Sequence, residues 1–230
     1  MTDARGTRPT MKLKEALSHG LGDLSGSIAV DVGCGRGSAT RVLADLGAMA
    51  TGLDPNAEAI AEAQAAKGGP LYLVAPAEAT GLDTASADVV LFSNSLHHVS
   101  DISAGLAEAK RIARPGGRIA VMEPEAHDPL FRVIRFVNDE EAVYADVQAA
   151  IATSVERGEV RIEKQLFWVD KYRVGTPEKM LAAMIAVDRR RSLAPEDRPA
   201  FEAAFAASRE EDAEGAFFSC WQRLDVLRLL

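Results

Sequence analysis

Residues able to do chemistry gather in the first half of the chain, each where an apolar run gives way to polar sequence. Asp31 lies in Ile28-Ala29-Val30-Asp31-Val32, and glycines at 33, 35 and 37 follow at once, with Cys34 and Arg36 between them. Asp54 closes the run Met49 to Leu53, Ser93 and Asn94 close Asp88 to Phe92, and Glu123 closes Arg118 to Met122. Alternating glycines let the backbone turn tightly and let a ligand approach main-chain N–H groups with no Cβ in the way. A helix starting from such a loop offers unpaired N–H groups and the positive end of its dipole. Together these features describe a small-molecule cofactor site at the carboxyl end of a strand.

The glycine spacing narrows the cofactor. A dinucleotide fingerprint, Gly-x-Gly-x-x-Gly, needs its third glycine at position 38, which is Ser38; here the pattern closes one residue earlier, at Gly37. No Gly-Lys-Ser/Thr follows, so the loop is not of the Walker type. Asp54 stands 17 residues beyond Gly37, at the end of the next strand, where a carboxylate accepts hydrogen bonds from ribose hydroxyls. The site therefore calls for a ribose and does not demand a pyrophosphate. His97, His98 and Glu123 are the candidate general bases near the same strand ends. Cys34 reads as a small filler of the loop. With Cys220 it makes neither a disulfide framework nor a metal-ligand spacing, and no metal is expected.

These stretches carry a family resemblance. Val30-Asp31-Val32-Gly33-Cys34-Gly35-Arg36-Gly37 resembles the first motif of class I S-adenosylmethionine-dependent methyltransferases, and Gly52-Leu53-Asp54-Pro55-Asn56 resembles their second, acidic motif. Ser93 to Val99 is similar to the segment after strand 4 in small-molecule enzymes related to the ubiquinone/menaquinone methyltransferases, and Arg111 to Arg118 is similar to that group's turn into strand 5. The likeness spans residues 25 to 125. It implies that Asp31 and the Gly33–Gly37 loop, Cys34 and Gly35 included, hold the methionine portion of S-adenosyl-L-methionine, with Asp31 favouring its amino group. It further implies that Asp54 takes the ribose and that Pro55 or Asn56 flanks the adenine. The resemblance also implies that Ala77 and Glu78 contact the adenine ring and that Ser93 and Asn94 line the methyl end. The implied reaction is in-line displacement at the methyl carbon by a small-molecule acceptor, leaving S-adenosyl-L-homocysteine. A nicotinamide-dependent oxidoreductase and a non-catalytic protein that binds the methyl donor are the rival readings.

The elements that must position these residues follow from the pattern. Five strand-like runs, near 28–32, 49–53, 71–74, 88–92 and 118–122, alternate with helical stretches, which specifies an α/β sheet with parallel strands and right-handed crossovers. The expected fold is Rossmann-like and doubly wound: a mostly parallel seven-stranded sheet with an antiparallel edge strand and a helical insertion after strand 5. In such sheets ligands bind outside the carboxyl ends of the strands, where Asp31, Asp54, Ser93, Asn94 and Glu123 all fall. Residues 1–24 read as a polar lead plus a short helix broken by Gly20 and Gly22, which either packs on the core or serves as a flap. Residues 25–125 form the cofactor-binding core and 126–210 a mostly helical, substrate-side segment whose aromatics Phe167, Trp168 and Tyr172 lie in a strand-like stretch from Arg161 to Val174. Residues 211–230 are the edge strand, all within one domain. Thr176 and Pro177 open a helix.

Composition bounds the partners. The chain of 230 residues is 47% hydrophobic and 26% charged, ordinary for a globular protein. Its net charge of −8, from 26 basic and 34 acidic residues, disfavours nucleic acid as the main partner. No apolar run reaches about 18 residues, so no membrane span is expected, and Met1 to Thr10 lacks the apolar core of a secretory signal. A cytoplasmic monomer or homodimer acting on a small molecule is the resulting expectation.

Overall fold

The apolar run at Ile28–Val32 forms β1, and it is paired in parallel on both sides. One neighbour is β2 (Met49–Asp54), in register from Ile28↔Met49 to Val32↔Leu53; the other is β4 (Ala87–Ser93), from Ala29↔Val89 to Val32↔Phe92. A strand so enclosed has no solvent face, which is why its sequence shows no polar alternation. β3 (Leu71–Val74) extends the sheet beyond β2, and β5 (Ala113–Pro124) lies parallel to β4. Crossovers are made by α2 (Ser38–Asp45), α3 (Ala57–Ala65) and α4 (Ile102–Ile112). The turn expected at Arg114–Gly117 is a bulge inside β5. Ala113 pairs with Ala87 and Arg118 with Val89, so four residues stand against Asp88 alone.

The computed structural model describes residues 8–66, 69–187 and 191–230. The end expected for the second helix at Lys67, the punctuation at Gly68, most of the polar lead and most of the basic run 189–191 lie outside them. The described chain divides into two units. The first comprises Met11–Glu123, Ala145–Leu166 and Arg223–Leu230; the second comprises residues 8–10, Pro124–Tyr144 and Phe167–Gln222.

In the first unit α1 (Leu13–Leu21) buries Ala16, Leu17, Gly20 and Leu21. Gly20 does not break this helix, contrary to expectation. A Cβ there would stand 2.4 Å from Leu224 Cδ2, so the glycine makes room for a close approach, and the helix stops instead at Gly22. α1 is thus a packing helix. The buried side of α2 is Ala39, Thr40 and Leu43, while Val42 and Leu46 are half-buried. The main core joins Val30, Val32, Phe92 and Val121 of the sheet to Leu106 and Ile112 of α4 and to Val147 and Ile151 of α6 (Glu141–Glu156). Each fully buried side chain of this size contributes about 1.5–3 kcal/mol. The loop from Ala75 to Ser86 is tied down by α4. Glu108 accepts from Thr80 N at 2.8 Å and Thr80 Oγ1 at 2.6 Å, and Arg111 donates to Leu82 O at 2.7 Å. Arg111 and then Thr80 hold the Glu108 carboxyl down at about 2.

Two late strands depart from expectation. β6 (Val160–Tyr172) and β8 (Gly215–Leu229) complete the order β3-β2-β1-β4-β5-β8-β6, and the short β7 (Glu210–Asp212) pairs antiparallel with β8, so the sheet has eight strands rather than seven. β8, expected at the edge, is interior, and β6 is the edge. Burial follows that placement: Leu224 to Leu227 of β8 are continuously buried, whereas residues 161–165 of β6 are all exposed. Both strands run antiparallel to their neighbours, as the bonds Arg228 Nη1 to Gly116 O and Glu125 N to Trp221 O show on one side, and Leu230 N to Glu159 O with Gln165 to Asp225 on the other.

In the second unit α5 (Phe131–Ile134), α7 (Pro177–Val187) and α8 (Arg198–Ser208) enclose Val133, Met180, Phe201, Phe205 and Phe218. Thr176 caps α7, accepting from Lys179 N at 3.2 Å as its sequence position requires. Asp128 is buried and accepts from Phe131 N at 2.5 Å and Trp221 N at 2.6 Å; burial pushes its carboxyl up to about 6.

Candidate functional site

Asp31 is the fourth residue of β1 and has no exposed surface. Its Oδ2 accepts a hydrogen bond of 2.6 Å from Thr40 Oγ1, on the inner face of α2. Its Oδ1 is buried and has no hydrogen-bond partner. Burial pushes the Asp31 carboxyl up to about 6, against the opposing pull of the Thr40 hydroxyl. A buried carboxylate oxygen left without a donor is costly, and a donor cation placed beside it removes that cost.

The glycine loop is hooked to the end of β2. Gly33 N and Cys34 N both donate to Leu53 O, at 2.7 and 2.9 Å, and Gly35 N donates to Asp54 Oδ2 at 2.8 Å. Gly33, Gly35 and Gly37 all have left-handed φ, of 74°, 51° and 79°. At two of them close neighbours also exclude a side chain. A Cβ on Gly33 would lie 2.5 Å from Ser95 Cβ, and one on Gly37 would lie 2.4 Å from the Tyr72 hydroxyl. Gly35, by contrast, faces open space. Gly37 is the N-cap of α2, and no side chain caps that helix. Cys34 is half-buried, and burial pushes its thiol up to about 12, which leaves it protonated and inert as a nucleophile, in keeping with a filler.

Asp54 uses one oxygen on Gly35 N and the other on Asn56 N, at 2.8 Å each, so each oxygen keeps a further lone pair for a ligand hydroxyl. Asn56 is the N-cap of α3, accepting from Glu58 N and Ala59 N. Pro55, a residue type suited to a helix's first turn, instead precedes the cap and lies outside the helix. Ala77 is buried against the main core, leaving only its backbone for a ligand. Glu78 is half-buried and accepts from Asp101 N at 3.3 Å, at the start of α4.

Past β4 the chain reverses at Asn94, whose φ of 53° is uncommon outside glycine but tolerated by asparagine, and whose N–H donates to Met122 O at 2.8 Å. Ser93, half-buried, pairs with Met122 in the sheet. Ser95 is buried and donates to Val32 O at 2.6 Å, tying this segment to the end of β1. A single 3-10 turn, Leu96–His98, follows. Glu123, 2% exposed, receives Leu96 N at 2.9 Å and His97 N at 3.3 Å, and its second oxygen pairs with His97 Nδ1. His98 is exposed, its ring 3.9 Å from that of His97. Hydrogen bonds thus run without a break from Asp54 through the glycine loop and Ser95 to Glu123. Asp31 joins through Thr40. Glu78 stands apart from that chain.

Three residues of this assembly were not picked out in the sequence: Thr40, Ser95 and Tyr72. Thr40 carried a readable signal, a polar residue between Ala39 and Leu43 on the inner stripe of a helix. Ser95 and Tyr72 carried none, because their role is steric closeness to glycines distant in sequence.

Comparison with known proteins agrees with this geometry. Residues 30–121 match the family described as a methyltransferase domain. Over 100 residues the chain is 32% identical to a malonyl-[acyl-carrier protein] O-methyltransferase of Pseudescherichia vulneris, covering 44% of this chain and 40% of that protein. Over 110 residues it is 34% identical to a ubiquinone biosynthesis O-methyltransferase of Rhodopseudomonas palustris, covering 46% and 43%. The chain thus spans less than half the length of these relatives. Among solved structures, an S-adenosylmethionine-dependent methyltransferase from Mesorhizobium loti superposes with a TM-score of 0.55 at 18% identity, over 93% of this chain and 95% of that one. The YcgJ protein of Bacillus subtilis gives 0.61 at 13% identity, over 94% and 97%. The matched segment is carried on an α/β Rossmann-like sheet that is mostly parallel with antiparallel strands at one side.

Proposed function

We propose that the protein transfers the methyl group of S-adenosyl-L-methionine to a small-molecule acceptor. The observation that carries this reading is Asp31: a buried carboxylate with one unpaired oxygen, at the foot of a glycine loop, inside the segment matched as a methyltransferase domain. An ammonium group is the natural complement of that oxygen, and the open face at Gly35 leaves room for the chain that bears it. When bound, the sulfonium supplies an already activated methyl group, so the protein has no need to activate the donor.

The chain's own residues then bind and orient. Asp31 and the N–H groups from Gly33 to Gly37, with Cys34 filling the loop behind, take the methionine end. Asp54 offers its free lone pairs to the ribose. Pro55, the Ala77 backbone and Glu78 border the adenine, and Ser93 and Asn94 border the methyl end. Glu123 is spent on the backbone of Leu96 and on His97, which makes it a positioning residue. His97, aligned by Glu123, and His98, exposed beside it, are the groups left to accept a proton from an acceptor that must lose one. The name of one matched relative, a ubiquinone biosynthesis O-methyltransferase, supports a small-molecule acceptor. Among the described residues no helix is long and apolar enough to cross a membrane. A cytoplasmic monomer or homodimer fits this reading.

Calorimetric titration with S-adenosyl-L-homocysteine and, separately, with NAD tests it. Saturable binding of the first and none of the second is expected. Binding of NAD alone refutes the proposal.

A further inference from the structure

A buried arginine in the second unit holds out a donor that nothing among the described residues accepts. The Arg8 side chain is 8% exposed. Its Nη1 pairs with the Glu125 carboxylate. Its guanidinium carbon lies 5.5 Å from the centre of the Phe167 ring and 4.8 Å from that of Trp221. Its Nη2 is buried and has no hydrogen-bond partner. The backbone fixes this arrangement from three directions. Val169 N donates to Pro9 O at 2.9 Å, Thr10 bridges Val169 in parallel, and Glu125 N donates to Trp221 O at 2.9 Å.

A purely structural ion pair is best made with both arms of the guanidinium fork on one carboxylate. Here Glu125 takes one arm only, and the other is left with an unmet, charged donor in a place where that is costly. Two aromatic rings beside the guanidinium supply flat apolar faces and reinforce its charge. Phe167 is 36% exposed. The ligand complementary to these features has an oxyanion for Nη2 and a flat conjugated body for the rings.

We infer that Arg8, with Phe167 and Trp221, binds the carboxylate of a small aromatic acid. Arg8 receives the carboxylate on Nη2, Glu125 competes for its other arm, and the rings flank the acid's own ring. All four residues lie outside residues 30–121, in the part of the chain that the family match does not reach.

The test uses the full chain, benzoate as probe and benzamide as its neutral counterpart, followed by calorimetry and by fluorescence of Trp168 and Trp221. Benzoate is expected to saturate and to bind at least about tenfold tighter than benzamide. Arg8→Gln is expected to remove that preference while leaving S-adenosyl-L-homocysteine affinity unchanged. Glu125→Gln, which deletes a competing negative charge, is expected to tighten benzoate, an effect that loss of structure cannot imitate. Benzoate binding no better than benzamide overturns the site, as does an Arg8→Gln protein that binds benzoate like the parent, or a Glu125→Gln protein that loses it. If benzoate binds but S-adenosyl-L-homocysteine does not, the methyl-transfer reading falls and the acid site stands.

Discussion

Replacing Asp31 by Asn separates what this residue does for the fold from what it does for the ligand, because the two effects have opposite signs. The folded carboxyl titrates at about 6 and its ordinary value is 3.8. Between those values the folded protein holds more protons than the unfolded chain, so the contribution of Asp31 to stability falls as pH rises from about 4 to about 6 and is constant above. Two pKa units at 1.36 kcal/mol each give a penalty of about 3 kcal/mol for the ionised, ligand-free site at neutral pH. Asn keeps an acceptor for Thr40 Oγ1 and carries no charge, but it leaves an amide donor where Oδ1 was unpaired, at a cost of about 1–3 kcal/mol. Relative to the parent, the variant should be destabilised near pH 4 and close to equal or more stable at pH 7.5, the difference shifting by about 3 kcal/mol in its favour across that interval. Urea denaturation at pH 4.5, 6 and 7.5 reads this directly, and the comparison cancels other groups such as Asp128 that titrate in the same range. Ligand binding should move the other way. Loss of the charge-assisted bond to an ammonium weakens S-adenosyl-L-homocysteine by about 1.5–3 kcal/mol at pH 7.5, roughly tenfold to a hundredfold. The parent's own affinity should decline as pH drops below 6 and Asp31 takes up its proton. A variant that is destabilised equally at all three pH values and binds S-adenosyl-L-homocysteine like the parent refutes the assignment.

Asp54→Ala should weaken S-adenosyl-L-homocysteine by about 1–3 kcal/mol through lost charged hydrogen bonds; calorimetry showing unchanged affinity removes Asp54 from the ribose. Gly37→Ala should lower the urea midpoint by an amount equal to about 1–3 kcal/mol, since a methyl at φ 79° meets the Tyr72 hydroxyl at 2.4 Å, and a midpoint within error of the parent contradicts that crowding. Glu123→Gln keeps an acceptor for Leu96 N and removes the charge beside His97. Turnover should fall with little change in KM for the methyl donor, and the pH–rate profile should shift; a profile that merely scales down assigns Glu123 a structural role alone.

How much of this was legible beforehand depended on how local each cause was. The glycine loop, the acids at the strand ends and the Thr176-Pro177 helix start are fixed by neighbours a few residues away, and the sequence states them directly. The parallel core from β1 to β5 was legible for a related reason. Strands buried on both faces must be apolar throughout, and the βαβ alternation leaves one handedness of crossover. What stayed hidden is what depends on partners far along the chain. Gly20 reads as a helix breaker until Leu224, two hundred residues on, fills the space its side chain would occupy. β8 reads as an edge strand because its alternating start at Gly215 looks half-exposed, and only the unbroken burial from Leu224 to Leu227 reveals strands on both sides. Glu123 reads equally well as a base or a cap, since either use needs a carboxylate at a strand end. The deciding fact is the Leu96 and His97 N–H groups, 27 and 26 residues upstream, that converge on one of its oxygens. Arg8 lies furthest from view: an arginine in a polar lead signals nothing by type or spacing. Its meaning comes from Glu125, Phe167 and Trp221, which three separate stretches of the chain bring to it. The glycine loop and the strand-end acids are therefore written locally, in motifs. The Arg8 cluster is written in long-range packing, so its ligand has to be sought by binding measurements.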